Sequence, residues 1–132
     1  MENYCKILNI ETRTMMEMIH RDVLPAVSKF THELTDTIAS KKNLGVNCEY
    51  EVTTANLLSD LCGKIFADVQ KLRENLTETM KHRDSTARAL AFRDKVLPLM
   101  AELRLAVNHA ETKTGAEYWP YPTYEDLLFG VR

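Results

Sequence analysis

Residues 16–38 read MEMIHRDVLPAVSKFTHELTDTI, and the fold turns on whether this stretch stays helical through its proline. Its apolar positions are Met16, Ile19, Val23, Val27, Phe30, Leu34 and Ile38. They advance in steps of three or four, which keeps one face of an α-helix apolar because such residues stack on the same side. Pro25 lies inside the stripe. It removes one backbone donor and predicts a kink near Arg21 and Asp22 without ending the helix. The segment runs out at SKKNLGVNCEYEVT (40–53), where Asn43 and Gly45 offer a C-terminal stop.

Two further stripes follow. Leu58, Leu61, Ile65, Val69, Leu72, Leu76 and Met80 form one, with Thr53 or Thr54 as its cap. Gly63 inside it costs about 1 kcal/mol unless close helix packing compensates. Ala89, Phe92, Val96, Leu99 or Met100, Leu103, Val107 and Ala110 form the other. Asp84, Ser85 or Thr86 can cap it, and Pro98 bends it as Pro25 bends the first. The pattern predicts an all-α chain: an antiparallel bundle of three long helices near 12–43, 54–83 and 86–112. A lead-in segment (1–11) precedes the bundle (12–115), and a tail (116–132) follows it in a single helical domain. LGVNCEYEV (44–52) is read as the longest connection, open to irregular structure.

The totals narrow the function classes. The 132 residues are enough for one core, and a formal net charge of −2 gives no argument for nucleic acid or an anionic membrane. No apolar run approaches the ~20 residues of a membrane span, and the N-terminus does not read as a signal peptide. The three cysteines, Cys5, Cys48 and Cys62, form no CxxC pair and read as reduced thiols of a cytoplasmic protein. Cys5 and Cys48 fall in expected loops, Cys62 beside an apolar stripe. Neither GxGxxG nor GxxxxGK[ST] occurs.

Chemical stations are sparse. Glu17 and His20 form a single ExxH, the helical spacing of carboxylate-bridged di-metal bundles, but no second ExxH accompanies it. Arg13, Arg21, Arg73, Arg88 and Arg93 read as solvated, with Glu17–Arg21 and Asp84–Arg88 as i,i+4 pairs. No catalytic, cofactor-binding or metal-binding residue is assigned.

Two clusters remain. Met15, Met16, Met18 and Ile19 cannot share one helical face, since neighbours point about 100° apart. Either this end of the helix is covered on two sides within the chain, or it is an interface to another polypeptide. The tail holds Trp119, Tyr121, Tyr124, Leu127, Leu128 and Phe129. Pro120 and Pro122 favour extended backbone before them, so YWPYP predicts a stiff strap. Thr123 then caps a short C-terminal helix, and the tail is expected to dock on the bundle.

LNIETRTMMEMIHRDVLPAVSKF (8–30) and YWPYPTYEDLLF (118–129) carry a resemblance. They resemble the C-terminal region of type III glutamine synthetases, which reads roughly I-E-x-x-T-M, then I-L-P-A, and closes on W-P-x-P-x-Y-x-x-L-L-F. The resemblance implies a non-catalytic helical domain serving structural or oligomer packing. ATP-dependent ligation of ammonia to glutamate would then belong to a catalytic domain absent from this chain, together with its ATP and divalent metal. The implied partners are the catalytic domain of the same polypeptide and neighbouring subunits of a ring oligomer. Read without the resemblance, the chain is a stand-alone helical interaction module or, further off, a small helical enzyme or metal-binding bundle.

Overall fold

Neither Pro25 nor Pro98 ends its helix. A computed structural model describes residues 2–122, and these form three long helical arms with no strand among them. The first arm joins α1 (Glu2–Met18), a π turn (Ile19–Val23) and α2 (Leu24–Leu44). The second is α3 (Glu49–Met80). The third joins α4 (Ser85–Ala91), a π turn (Phe92–Val96) and α5 (Leu97–Lys113). Each π turn ends two residues before its proline. The Leu24 N–H donates to the Ile19 carbonyl and the Leu97 N–H to the Phe92 carbonyl, both reaching back five residues. The wider turn lets the helix continue past a residue that has no N–H to give. Val-Leu-Pro stands at 23–25 and again at 96–98, a recurrence that stripe-reading passes over.

All three stripes face inward. Met16, Val23, Val27 and Leu34 of the first arm are buried with Leu58, Ile65, Val69, Leu72 and Leu76 of the second. Phe92, Val96, Leu103 and Ala110 of the third complete the core. Gly45 ends α2 in the left-handed conformation, at φ 72°, and Asp84 caps α4 by accepting the Ala87 N–H at 3.0 Å.

Several boundaries differ from the stripe reading. The lead-in is helical from Glu2, because Cys5, Leu8 and Thr12 extend the buried face by another two turns. Cys5 is therefore a core thiol and not a loop residue. Thr12 is tolerated there because its hydroxyl bonds the Leu8 carbonyl at 2.7 Å and lies 3.3 Å from Met100 Sδ. The second arm begins at Glu49, not at Thr53 or Thr54, since Asn47 Oδ1 already accepts the Glu49 N–H at 2.8 Å. The connection shrinks accordingly to 45–48. Asp84, occupied as a cap, does not pair with Arg88. The Arg88 guanidinium instead donates to the carbonyls of His82 and Met80.

Contacts set the register of the arms. Along the first and third they climb together. Cys5 Sγ lies 4.0 Å from the Ser85 carbonyl oxygen, Thr12 meets Met100, and the rings of Phe30 and Tyr118 stand 5.4 Å apart. The first and second arms are tied beside their connection, where Lys41 pairs with Glu51. The hydrogen bond from that ammonium holds the Glu51 carboxyl below the usual carboxylate range. Asn75 of the second arm donates to the Lys95 carbonyl at 2.9 Å, inside the π turn that precedes Pro98.

Gly63 does not serve close packing, because a Cβ built there meets nothing within 4 Å. Gly63→Ala is therefore expected to raise stability by about 0.5–1 kcal/mol through reduced backbone entropy of the unfolded chain. Urea unfolding checks this, and a lower midpoint for the alanine variant contradicts it.

Candidate functional site

The third arm ends where Thr114 turns extended, its hydroxyl donating back to the Ala110 carbonyl at 2.7 Å. Gly115 follows, against the Phe30 ring. A Cβ there would stand 3.1 Å from that ring, so this crossing requires glycine or a displaced phenylalanine. A single 3-10 turn, Ala116–Tyr118, then carries the backbone over the first arm. Trp119 comes next in extended conformation, at φ −76° and ψ 125°, the region favoured before a proline. Its side chain is only 4% exposed and joins the core. Tyr121 packs against the same core, and its hydroxyl donates to Asp22 Oδ2 at 2.7 Å. Burial, reinforced by that bond to a carboxylate, pushes the Tyr121 phenol up to about 12.

This strap closes one end of a groove of about 530 Å³ between the first and third arms. Met15, Met18, Ile19 and Val23 line one wall, Met100, Arg104 and Val107 the other, and Trp119 and Tyr121 the end. The methionine cluster thus divides. Met16 and Ile19 are buried in the core, Met15 is half-buried on the groove wall, and Met18 is exposed. Tyr124, Leu127, Leu128 and Phe129 lie outside the described residues, as does the Thr123 cap and the short helix after it. The third-arm wall and Asp22 were not singled out from sequence. No local pattern marks them, because they join the site only through the pairing of distant arms.

A second, polar cleft lies between the first and second arms. It brings together Arg13, Glu17, His20, Arg21 and Arg73. Arg21 and Glu17 form the anticipated pair at 2.8 Å, and Arg13 Nε donates to Asn9. Three guanidiniums around the ExxH make this a poor seat for a metal cation. Among the described residues, no three His, Cys, Asp or Glu side chains gather as a metal-binding set. Cys62 is partly buried, and that burial pushes its thiol up, away from nucleophilic thiolate chemistry. No described helix is long and apolar enough to cross a membrane.

α1 carries more apolar surface than its buried face uses. Tyr4, Ile7 and Ile10 are 48%, 48% and 61% exposed. Ile7 and Ile10 lie on the side of the helix that turns away from Cys5, Leu8 and Thr12, and Tyr4 flanks the buried face four residues before Leu8.

This first arm is also where a known family matches: the one described as the glutamine synthetase C-terminal domain covers residues 1–42. Relatives extend the likeness, and the chain resembles the C-terminal domain of glutamine synthetases along its whole length. Among them, the glutamine synthetase of Butyrivibrio fibrisolvens is 31% identical over 134 residues, covering 100% of this chain and 19% of that protein. That of Bacteroides fragilis (strain YCH46) is 26% identical, covering 98% and 18%. The type-3 glutamine synthetase of Dictyostelium discoideum is 25% identical, covering 97% and 18%. The chain spans about a fifth of the length of the curated relatives it matches. No solved structure matches it.

Two variants probe the strap. Trp119→Ala removes a buried indole and is expected to cost about 3–5 kcal/mol in denaturant unfolding. A loss under about 1 kcal/mol means that the strap does not stabilise the arms. Tyr121→Phe deletes one charge-assisted bond at a half-buried site and is expected to cost about 1 kcal/mol at neutral pH. The raised phenol makes this contribution complete below the ordinary tyrosine value of 10.0 and lost as pH climbs towards about 12. Unfolding curves of both chains should therefore converge over that window, and a gap that persists or widens there contradicts the assignment.

Proposed function

We propose that this chain is the non-catalytic C-terminal helical domain of a type III glutamine synthetase, serving structural and oligomer packing. One observation carries the reading: similarity covers 97–100% of this chain but only 18–19% of each relative. The remaining four-fifths of such a protein would hold the catalytic domain, with its ATP and divalent metal. In this reading the arms form an antiparallel bundle in the cytoplasm, and ligation of ammonia to glutamate takes place outside it.

The bare face of α1 supports the packing role. Tyr4 and Ile7 present apolar surface at the start of the chain, on the arm that matches the family. Large side chains left at about half exposure on one face of a helix fit a surface that a further polypeptide covers. The partners are then the catalytic domain of the same polypeptide and neighbouring subunits of a ring oligomer.

The experiment has two parts. An antibody against this domain should detect in native extracts a polypeptide about five times the length of this chain, as the relatives' proportions imply. A band at the 15.2 kDa of the chain alone contradicts the reading and favours a stand-alone interaction module. In the native polypeptide, Tyr4→Glu with Ile7→Glu should shift the assembly to smaller species on size exclusion while leaving the circular dichroism of the isolated domain unchanged. An unaltered assembly removes the packing role from this face.

A further inference from the structure

The polar cleft between the first and second arms brings three arginines that are far apart in sequence to one place. Arg13 comes from α1, Arg21 from the π turn after it and Arg73 from α3, with Glu17 and His20 among them. Three guanidiniums against one carboxylate leave a local surplus of positive charge, in a chain whose formal net charge is −2. These groups are not all engaged. Glu17 takes Arg21 at 2.8 Å, while Arg13 gives only its Nε, to Asn9 Oδ1 at 3.1 Å, and keeps its terminal N–H groups. Among the described residues, neither Arg73 nor His20 has an ion-pair partner. Like charges held on two arms repel across the cleft unless an anion stands between them.

We propose that this cleft binds a small phosphorylated molecule, its phosphoryl group held between Arg73 on one wall and Arg13, His20 and Arg21 on the other. The proposal is independent of the packing role and concerns a different face of the first arm. A phosphoryl group offers three acceptor oxygens, which planar guanidinium forks meet two at a time. Its charge of about −2 matches the surplus of the walls, where a lone carboxylate would leave part of it uncompensated. His20 has an N–H to donate whether or not the ring is charged. Size agrees as well. The cleft is about 440 Å³, within the range of small-molecule sites. From Arg13 to Arg21 the wall runs about 12 Å at ~1.5 Å per residue, longer than one phosphoryl group, so an organic remainder fits beside it. Met16, otherwise buried, gives that remainder an apolar lining.

Isothermal titration of the full chain with pyrophosphate, at low ionic strength where exposed charges are least screened, tests the proposal. Saturable one-to-one binding is expected. Arg73→Gln should weaken it by about tenfold, the loss of a hydrogen bond between charged groups. Glu17→Gln removes the carboxylate from the cleft and releases Arg21, and should tighten binding several-fold, a change that a merely structural role would not produce. Arg93→Gln, at an arginine paired with Asp94 outside the cleft, should leave the affinity as it was. Circular dichroism should be the same for all four chains. Absence of saturable binding overturns the proposal. So does equal weakening by Arg73→Gln and Arg93→Gln, which would reduce the effect to overall charge. Succinate bound as tightly as pyrophosphate removes the phosphate assignment. An aspartate-rich peptide bound more tightly, with the same loss in Arg73→Gln, gives the cleft to a polypeptide instead and overturns it too.

Discussion

Two backbone donors are missing from the middle of helical arms, at Pro25 and Pro98, and the architecture depends on how the chain absorbs them. A proline inside an α-helix normally removes a bond and pushes away the preceding turn, at a cost of about 3 kcal/mol. Here a π turn precedes each one, and the helix goes on. The first π turn also supplies Ile19 and Val23 to the core and Asp22 to the strap. The second exposes a carbonyl, Lys95, that Asn75 reaches from the neighbouring arm. Each irregular turn is thus held by a side chain from another part of the chain.

What was legible in the sequence is the inward face of each arm, because hydrophobic periodicity reports burial directly. Leu58, Ile65, Val69, Leu72 and Leu76 are buried as their spacing implies, and so are Phe92, Val96 and Leu103. The early start of the first arm was less visible. Its buried face there runs through Cys5 and Thr12, residue types that carry little apolar signal, and Thr12 is accepted only because its hydroxyl turns back to its own helix. The start at Glu49 hung on one side-chain acceptor, Asn47, which competes poorly in sequence with the threonines a turn later. The groove was legible on one wall alone. The excess of Met15, Met16 and Met18 signalled a second surface, but Arg104 and Val107 are placed opposite it by the register of two arms that are not consecutive. Asp22 carries no mark of its role, because the hydroxyl it receives lies 99 residues away.

The first arm combines three roles. One face enters the core, a second lines the groove, and a third leaves Tyr4 and Ile7 uncovered. Such division is unusual for a surface helix, which ordinarily has one apolar stripe and a polar remainder. The polar side of the same arm, with Arg13, Glu17, His20 and Arg21 facing Arg73, is the exception that keeps it from being apolar all round. The family match falls on this arm too, at residues 1–42. The match to the family and the surplus apolar surface therefore fall on the same element.

The bond between Tyr121 and Asp22 has a consequence for the order in which the molecule assembles. Consecutive arms are joined by short connections, so pairing of the first with the second, and of the second with the third, begins beside a turn and costs little loop entropy. The strap must instead close a loop of nearly the whole described chain. Contacts of that sequence separation form late, once packed helices have already brought the two ends near. Trp119 and Tyr121 have a place to land only after the first and third arms lie side by side. Run in reverse, the same ordering makes release of the strap the shallowest opening of the native state. The helices can remain paired while the indole swings out, so the strap leaves the first arm before the arms part.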